Sequence, residues 1–376
     1  MTFLVIAFVL ALIYLAIQLQ YIYYWKKIKP VSVPPGYTPT SPVSILIVAR
    51  NESATIQSCL QGISAQNYPH SLVEIIVIDD HSTDDTAHKV LSVQDDRIQL
   101  LRLGNYKEYI HLPAYKKSAI TLGVSKSNHE IVILTDADCH HAPDWMRTII
   151  YAMEKEHAVF QASPVLIIPG KSLLEKMQEA EVLAFMLITG SGIQSRLHDM
   201  ANGANMAFRK TAFEAVHGYE GNFNYASGDD MFLIEKMRTA FPNNIHFTKS
   251  LEAIAWTNGK TNWSDLIKQR LRWASKNRGL HNQSISIIWS FVGLYHIALP
   301  VFVILPFFHI ISWRPFLLML STKWVADYFV LQQSASFFNR FSVLRNFIPS
   351  QILYSWYILL IGINIILGKK GDWNRI

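Results

Sequence analysis

At 376 residues, 50% hydrophobic and 16% charged, the chain is too apolar for an ordinary soluble enzyme. It is also too charged for a protein wholly immersed in a bilayer. Its formal net charge of +6 suits contact with anionic headgroups and a phosphate-bearing ligand, but no basic run is dense enough for nucleic acid.

Residues 1–25 carry no charge, and 3–24 is long enough to span a bilayer at roughly 20 residues per crossing. Lys26, Lys27 and Lys29 follow at once. With no basic start, short apolar core or small-residue cleavage site, this reads as an uncleaved anchor over 1–25. The lysines place the following residues in the cytoplasm, at the plasma (inner) membrane. Residues 26–42 contain five prolines, at 30, 34, 35, 39 and 42, and read as an extended linker. From 43 to about 280, strands are expected over 43–49, 73–78, 98–103, 131–135 and 158–163. Helices are expected over 53–65, 84–93, 113–125 and 144–153. That alternation predicts an α/β fold with a mostly parallel sheet, helices on both faces, and a ligand site beyond the strands' carboxyl ends. Cys59 and Cys139 fall in this segment and imply no disulfide framework.

The apolar character returns after Arg278. No Asp, Glu, Lys or Arg occurs between Gly279 and Trp313, enough for one long helix bent at Pro300 or Pro306. A further span is expected over 316–332, where Lys323 and Asp327 are spaced to pair on one helical face. Residues 337–344 mix aromatics with Arg340 and suit a helix lying in the interface. A last span is expected over 349–367. Residues 281–376 are thus expected to hold about three membrane helices. Three crossings would put Lys369, Lys370 and Arg375 outside, against the positive-inside bias, so the count stays open.

Several polar clusters fall at predicted strand ends. Asp136-Ala137-Asp138 closes the run Ile131-Val132-Ile133-Leu134-Thr135. Two carboxylates at i and i+2 there can hold a hard divalent ion against a diphosphate, or simply form a turn before Pro143. Asp79-Asp80-His81-Ser82-Thr83-Asp84 can cap a helix, and a strand-end Asp can accept the N3–H of a uracil. Lys116 can meet a phosphate or lie solvated at the surface. In Ser227-Gly228-Asp229-Asp230 a carboxylate can be a general base or an N-cap. In Gln269-Arg270-Leu271-Arg272-Trp273, Arg272 can neutralise a leaving diphosphate and Trp273 can stack on a sugar. The same helix can instead be a membrane-surface helix with a snorkelling Arg and an interfacial Trp.

In order and spacing these motifs resemble the membrane-bound family 2 glycosyltransferases, over about residues 43–280. Val43-Ser44-Ile45-Leu46-Ile47-Val48-Ala49-Arg50-Asn51-Glu52 resembles the opening strand. Asp79-Asp80-x-Ser82-x-Asp84 resembles the nucleotide-binding turn, and Asp136-x-Asp138 the metal motif. Asn202-Gly203-Ala204-Asn205-Met206-Ala207-Phe208-Arg209 resembles the acceptor-side strand. Gly228-Asp229-Asp230 resembles the segment carrying the base. Gln269-x-x-Arg272-Trp273 resembles the motif of membrane synthases of the cellulose, chitin and hyaluronan type. The chain departs in having Ala114 where Gly precedes the lysine, and Gly228-Asp229-Asp230 where Thr-Glu-Asp is usual.

The resemblance implies a GT-A fold over 43–280 and inverting transfer from a nucleotide-diphosphate sugar, most often UDP-linked. It implies Mg²⁺ or Mn²⁺ on Asp138 and Asp136. Ala49, Arg50, Glu52, Asp79, Asp80, Lys116 and Asp136 would line the donor. Asp230 would be the base, with Asp229 beside it. Arg272 would meet the leaving diphosphate, and Gln269, Trp273 and Asn205 the leaving-group and acceptor side. The short chain and few C-terminal crossings favour single transfer to a lipid or lipid-linked saccharide acceptor. A processive polysaccharide synthase, or a catalytically silent nucleotide-sugar-binding scaffold, are the alternatives.

Overall fold

A computed structural model describes residues 1–110, 115–225, 227–275 and 282–366. It opens on α1 (Thr2–Lys27), followed after the proline-rich linker by β1 (Val43–Ala49). Then come α2 (Ile56–Ser64), β2 (Val73–Asp79), α3 (Thr86–Leu91), β3 (Ile98–Arg102), α4 (Lys107–Ile110), α5 (Tyr115–Lys126) and β4 (Ile131–Asp136). β5 (His140–His141), α6 (Trp145–Lys155), β6 (Phe160–Ala162), β7 (Val165–Ile167), α7 (Leu173–Ser195) and β8 (Asn205–Arg209) follow. The order continues through α8 (Lys210–Ala215), α9 (Asp229–Ala240), β9 (Ile245–Phe247), β10 (Ala255–Thr257) and α10 (Trp263–Ser275). It closes on α11 (Gln283–Phe307), α12 (Arg314–Phe337) and α13 (Phe347–Ile366).

The main sheet has the order β3-β2-β1-β4-β8-β6-β9, and β8 alone runs against its neighbours. β1 lies in its interior between parallel partners, which is why its sequence is apolar at every position but the buried Ser44 rather than alternating. Successive β1 residues feed different cores. Leu46 packs with Ala119, Ile120 and Leu122 of α5, while Ile45 and Ile47 pack with α2 and α6 through Ile56, Leu60, Trp145 and Ile149. Helices therefore cover both faces. A small sheet, β5-β10-β7, stands beside the main one. The expected strand over 158–163 contracts to Phe160–Ala162, and the helix expected from 53 begins at Ile56 after a turn closed on the Glu52 carbonyl.

Helix α7 was not expected. Its residues are buried over most of its circumference, so no apolar stripe betrays it. Ser172 and Glu175 start it as a capping box. It packs against β7 and β9 on one side and α1, α12 and α13 on another.

Helix α1 is no loose tether. Its end is seized by Lys249, whose Nζ donates to the Trp25 carbonyl (2.8 Å) and lies 4.1 Å from the Trp25 ring. Trp25 also meets Phe247, Phe337 and Phe338. The linker is extended, as expected, but strapped down. Val31 N–H donates to the Lys249 carbonyl, Tyr37 and Ser41 donate to Glu154, and Arg147 donates to the Tyr37 carbonyl.

Among the described residues, three helices are long and apolar enough to cross a membrane: Thr2–Lys27, Ser284–Phe307 and Phe341–Asn364. The expected span at 316–332 forms part of α12, which is not among them. Lys323 is fully buried there and donates to Asp327 (2.6 Å) and to Gln351 on α13 (2.6 Å), while Tyr14 on α1 donates to Asp327 (2.6 Å). An exposed pair at this spacing contributes about 0.3–0.5 kcal/mol, whereas an unpaired buried charge costs several. The pair therefore serves to make α12 tolerable in the bundle and to bind it to α1 and α13. Residues 337–344 enter a 3₁₀ turn, Phe341–Asn346, rather than an α-helix. Lys369, Lys370 and Arg375 lie outside the described residues.

Candidate active site

The carboxyl ends of β1, β2 and β4 meet because these strands run parallel: Ala49 is opposite Asp79, and Val48 opposite Asp136. β8 runs the other way, so Asn205 faces Thr135 and the preceding Asn202-Gly203-Ala204 turn reaches the same edge. One edge thus collects most of the residues singled out in the sequence.

The turns after β1 and β2 are laced together. Asn51 N–H donates to Ser82 Oγ (3.1 Å), and Asn51 Oδ1 accepts from Thr83 N–H (2.8 Å). Ser53 N–H donates to Asp84 Oδ2 (3.1 Å), and Glu52 N–H to Thr86 Oγ1 (2.8 Å). Asn51 and His81 turn the chain at φ 54° and 58°, the left-handed region that Asn and His tolerate better than most residues. Asp84 also accepts the first N–H of α3, at Thr86 (3.0 Å). Asp79 Oδ1 accepts from Ser82 N–H (3.1 Å). Asp80 is buried, 3.8 Å from Arg50 Nη1 and 2.9 Å from His81 Nδ1.

Lys116 links two motifs that sequence spacing left separate. Its Nζ donates to Asp136 Oδ1 (2.8 Å) and lies 3.5 Å from Asp229 Oδ2. Burial alone would lower this ammonium's pKa, but Asp136, Asp229 and Asp230 outweigh it and hold the pKa above its usual value. Lys116 therefore stays charged, and joins the end of β4 to the first turn of α9. A Cβ on Gly203 would sit 2.6 Å from Asp229 Oδ2 and 3.2 Å from Lys116 Nζ, so a larger residue in this turn would displace the ends of the pair. Asp230 Oδ1 accepts from Met231 N–H (2.8 Å), and the buried Tyr219 ring stands near both aspartates.

Asp138 is held from the small sheet, because Thr257 Oγ1 on β10 donates to its Oδ2 (3.0 Å). Thr257 was missed: it lies 119 residues from Asp138 and belongs to no recognisable motif. Glu52, whose Oε2 accepts from Thr55 Oγ1 (2.8 Å), feels the charge of both aspartates. Burial raises its carboxyl, Thr55 opposes this, and the charges of Asp138 and Asp136 raise it further, with Lys260 acting to lower it.

These donors fit a hard divalent ion. Asp136, Asp138 and Glu52 offer oxygen. The neighbouring thiols are unsuited: burial and the aspartate charges push Cys59 up to about 12 and Cys139 well above its usual value, so neither supplies thiolate. Among the described residues the one convergence of three ligand atoms is His70, Asp95 and Asp96, at the opposite end of the sheet. Asp136 and Asp138 would therefore leave most of a metal's coordination shell to water and diphosphate.

Asn205, expected on the acceptor side, has a different place. It is fully buried; its Oδ1 accepts from Trp145 Nε1 (3.0 Å) and its Nδ2 donates to the Pro164 and Ala253 carbonyls (2.7 and 2.8 Å). These three bonds use both amide hydrogens and one oxygen lone pair within the fold, so the buried side chain secures the strand end instead of facing an acceptor.

α10 follows Lys260 after a short turn. Leu266, Ile267, Arg270 and Leu271 form its inner stripe, packed toward α7 and α13 with Leu174, Met177, Tyr357 and Ile361. By helical spacing Gln269 and Arg272 lie on the other half of the surface, whereas Trp273, seven residues from Leu266 and three from Arg270, borders the inner stripe. Gln269, Arg272 and Trp273 are each partly buried.

The chain matches the model of glycosyl transferase family 2 over residues 44–216, and that of glycosyl transferase family group 2 over 131–366. It is 26% identical over 242 residues to a probable glycosyltransferase, YdaM, of Bacillus subtilis, covering 63% of this chain and 55% of that one. It is 29% identical over 116 residues to a beta-monoglucosyldiacylglycerol synthase of Nostoc sp., covering 30% and 24%. The chain thus spans about half or less of the length of these curated relatives. Among solved structures it resembles the mannosyltransferase PcManGT from Pyrobaculum calidifontis, in complex with GDP-Man and Mn²⁺. The TM-score is 0.58 at 17% identity, over 98% of this chain and 100% of that one, a likeness of fold.

Proposed function

Because the chain belongs to glycosyltransferase family 2, we propose that it is an inverting, metal-dependent enzyme. It moves a sugar from a nucleotide-diphosphate sugar to a lipid or lipid-linked acceptor at a membrane surface. The observation that carries this reading is the bridge Asp136–Lys116–Asp229, which joins a metal-type motif to a base-type motif at the carboxyl edge of the sheet.

Asp138 and Asp136 would hold Mg²⁺ or Mn²⁺, which when bound supplies positive charge to the donor's diphosphate. Ala49, Arg50, Glu52, Asp79 and Asp80 form the donor side. Asp230 takes the proton from the acceptor hydroxyl as its oxygen bonds to C1 and the C1–phosphate bond breaks. Lys116 keeps Asp136 and Asp229 together without proton exchange of its own. Arg272, with Gln269 and Trp273, meets the charge that develops on the departing diphosphate. The catalytic segment is taken as 43–280, between an anchor at 1–25 with its linker at 26–42 and a membrane region at 281–376.

A lipid acceptor is favoured by three membrane-length helices and by the similarity to a diacylglycerol glucoside synthase. The donor is tested on purified full-length protein with Mn²⁺, by nucleotide diphosphate release from UDP-glucose, UDP-galactose, UDP-N-acetylglucosamine and GDP-mannose, with diacylglycerol or polyprenyl phosphate in mixed micelles. One donor is expected to turn over only when an acceptor is present, giving a product with a single added sugar. A ladder of longer products would replace this reading with a processive synthase. No release from any donor would favour a silent binding module.

The catalytic segment is proposed to face the cytoplasm at the inner membrane, on the strength of Lys26, Lys27 and Lys29. A cysteine introduced at Pro35 should resist an impermeant maleimide in intact cells and react once they are broken. Labelling of intact cells would reverse the orientation.

A further inference from the structure

The sequence motif directs attention to Gln269, Arg272 and Trp273, but the geometry around α10 centres on the residue between them. Arg270 is 6% exposed. Its Nε and Nη2 both donate to Glu181 of α7, Nε at 3.2 Å from Oε2. Its Nη1 donates to Gln269 Oε1 (2.6 Å), and its guanidinium carbon lies 4.1 Å from the centre of the Trp273 ring. Glu181, 7% exposed, also accepts from the Tyr357 hydroxyl of α13. One planar cation thus touches both outer residues of the motif, with one edge on Glu181, another donor on Gln269 and a face on Trp273.

A buried ion pair is a poor device for stability alone. Apolar residues of similar volume would pack α10 on α7 about as well, without removing two charges from water. What an apolar pair cannot do is aim a donor at Gln269 and hold a cation on an indole. Lysine keeps the charge but lacks both the fork and the flat face.

We propose that Arg270 and Glu181 are positioning residues for sugar transfer. Glu181 fixes the guanidinium of Arg270, and Arg270 fixes Gln269 and Trp273 on the part of α10 that carries Arg272. Tyr357 ties the same carboxylate to α13, so the arrangement of this helix depends on its seat against a membrane-length segment. The inference rests on the reading that α10 serves the leaving diphosphate.

The test uses full-length protein in detergent, with the donor and acceptor that give turnover and with UDP–Mn²⁺ or GDP–Mn²⁺ as the binding probe. Arg270→Lys retains a charge opposite Glu181. The pair Glu181→Gln with Arg270→Met removes both charges and keeps the volume. Both are expected to lower kcat about 10–10²-fold, the scale of a misplaced reacting geometry. The dissociation constant of the nucleotide–Mn²⁺ probe should stay within about twofold, and the neutral pair should melt near the wild type. Recovery of kcat together with thermal stability in the neutral pair would overturn the proposal, because the pair would then be structural only. Arg272→Ala is the control that separates two failures. If it abolishes transfer while the Arg270 and Glu181 variants are fully active, the positioning role alone is wrong. If it too is fully active, the reading of α10 itself is wrong.

Discussion

Asp138→Asn is expected to abolish metal-dependent transfer while leaving the protein folded. Asp138 closes the turn after β4, and its Oδ2 accepts a hydrogen bond from Thr257 on β10. An asparagine oxygen can accept the same bond, so the link between the two sheets survives. What is lost is the negative charge, and a neutral amide is a weak ligand for a hard cation. Because few protein ligands converge here, no neighbour replaces it. Charge neutralisation by a metal contributes several kcal/mol to such reactions, and each 1.4 kcal/mol or so is tenfold in rate. The loss should reach at least about 10³-fold, read as nucleotide diphosphate release across a Mn²⁺ titration, with the melting temperature near that of the parent. Full activity at saturating Mn²⁺ would remove Asp138 from the metal site.

Asp230→Asn should stop transfer but spare donor binding. A positioned general base contributes about 10²–10⁴-fold. The backbone bond from Met231 N–H to Asp230 Oδ1 can be kept by the amide oxygen, so α9 should start as before. The neighbouring Asp229 remains to hold Lys116, 3.5 Å away. Calorimetry with the nucleotide–Mn²⁺ complex should give a dissociation constant within about twofold of the parent, while product formation is lost. If affinity and transfer fall in parallel, Asp230 belongs to the donor site and another group takes the proton.

What could be read from sequence was what is encoded locally. The strand at 43–49 appears with those bounds, because a strand between two parallel partners is buried on both faces and reads as a nearly continuous apolar stretch, here interrupted only by Ser44. The polar residues at the ends of β1, β2 and β4 were legible because a strand end is a local event. Partnerships across the chain were not. Glu179 and Glu181 break the apolar pattern of α7, and their charges make sense only beside Arg340 and Arg270, 161 and 89 residues away. Thr257 is silent for the same reason. Asn205 misled in the opposite direction: its motif suggested a ligand contact, while its amide completes three bonds inside the fold. The pairing of Lys323 with Asp327 was legible from their spacing and is found, while the further partners Tyr14 and Gln351, on other helices, were not.

The strapping of α1 has a consequence for what can be glycosylated. With α1 in a bilayer, Lys249 on the Trp25 carbonyl and Glu154 on Tyr37 and Ser41 leave no slack between the lipid surface and the strand ends. The proposed reaction centre would then ride at a set height, like a tool on a fixed post. For the lipid acceptor proposed above, the hydroxyl would have to be presented at that height, so headgroup reach, as much as headgroup chemistry, would sort one lipid from another.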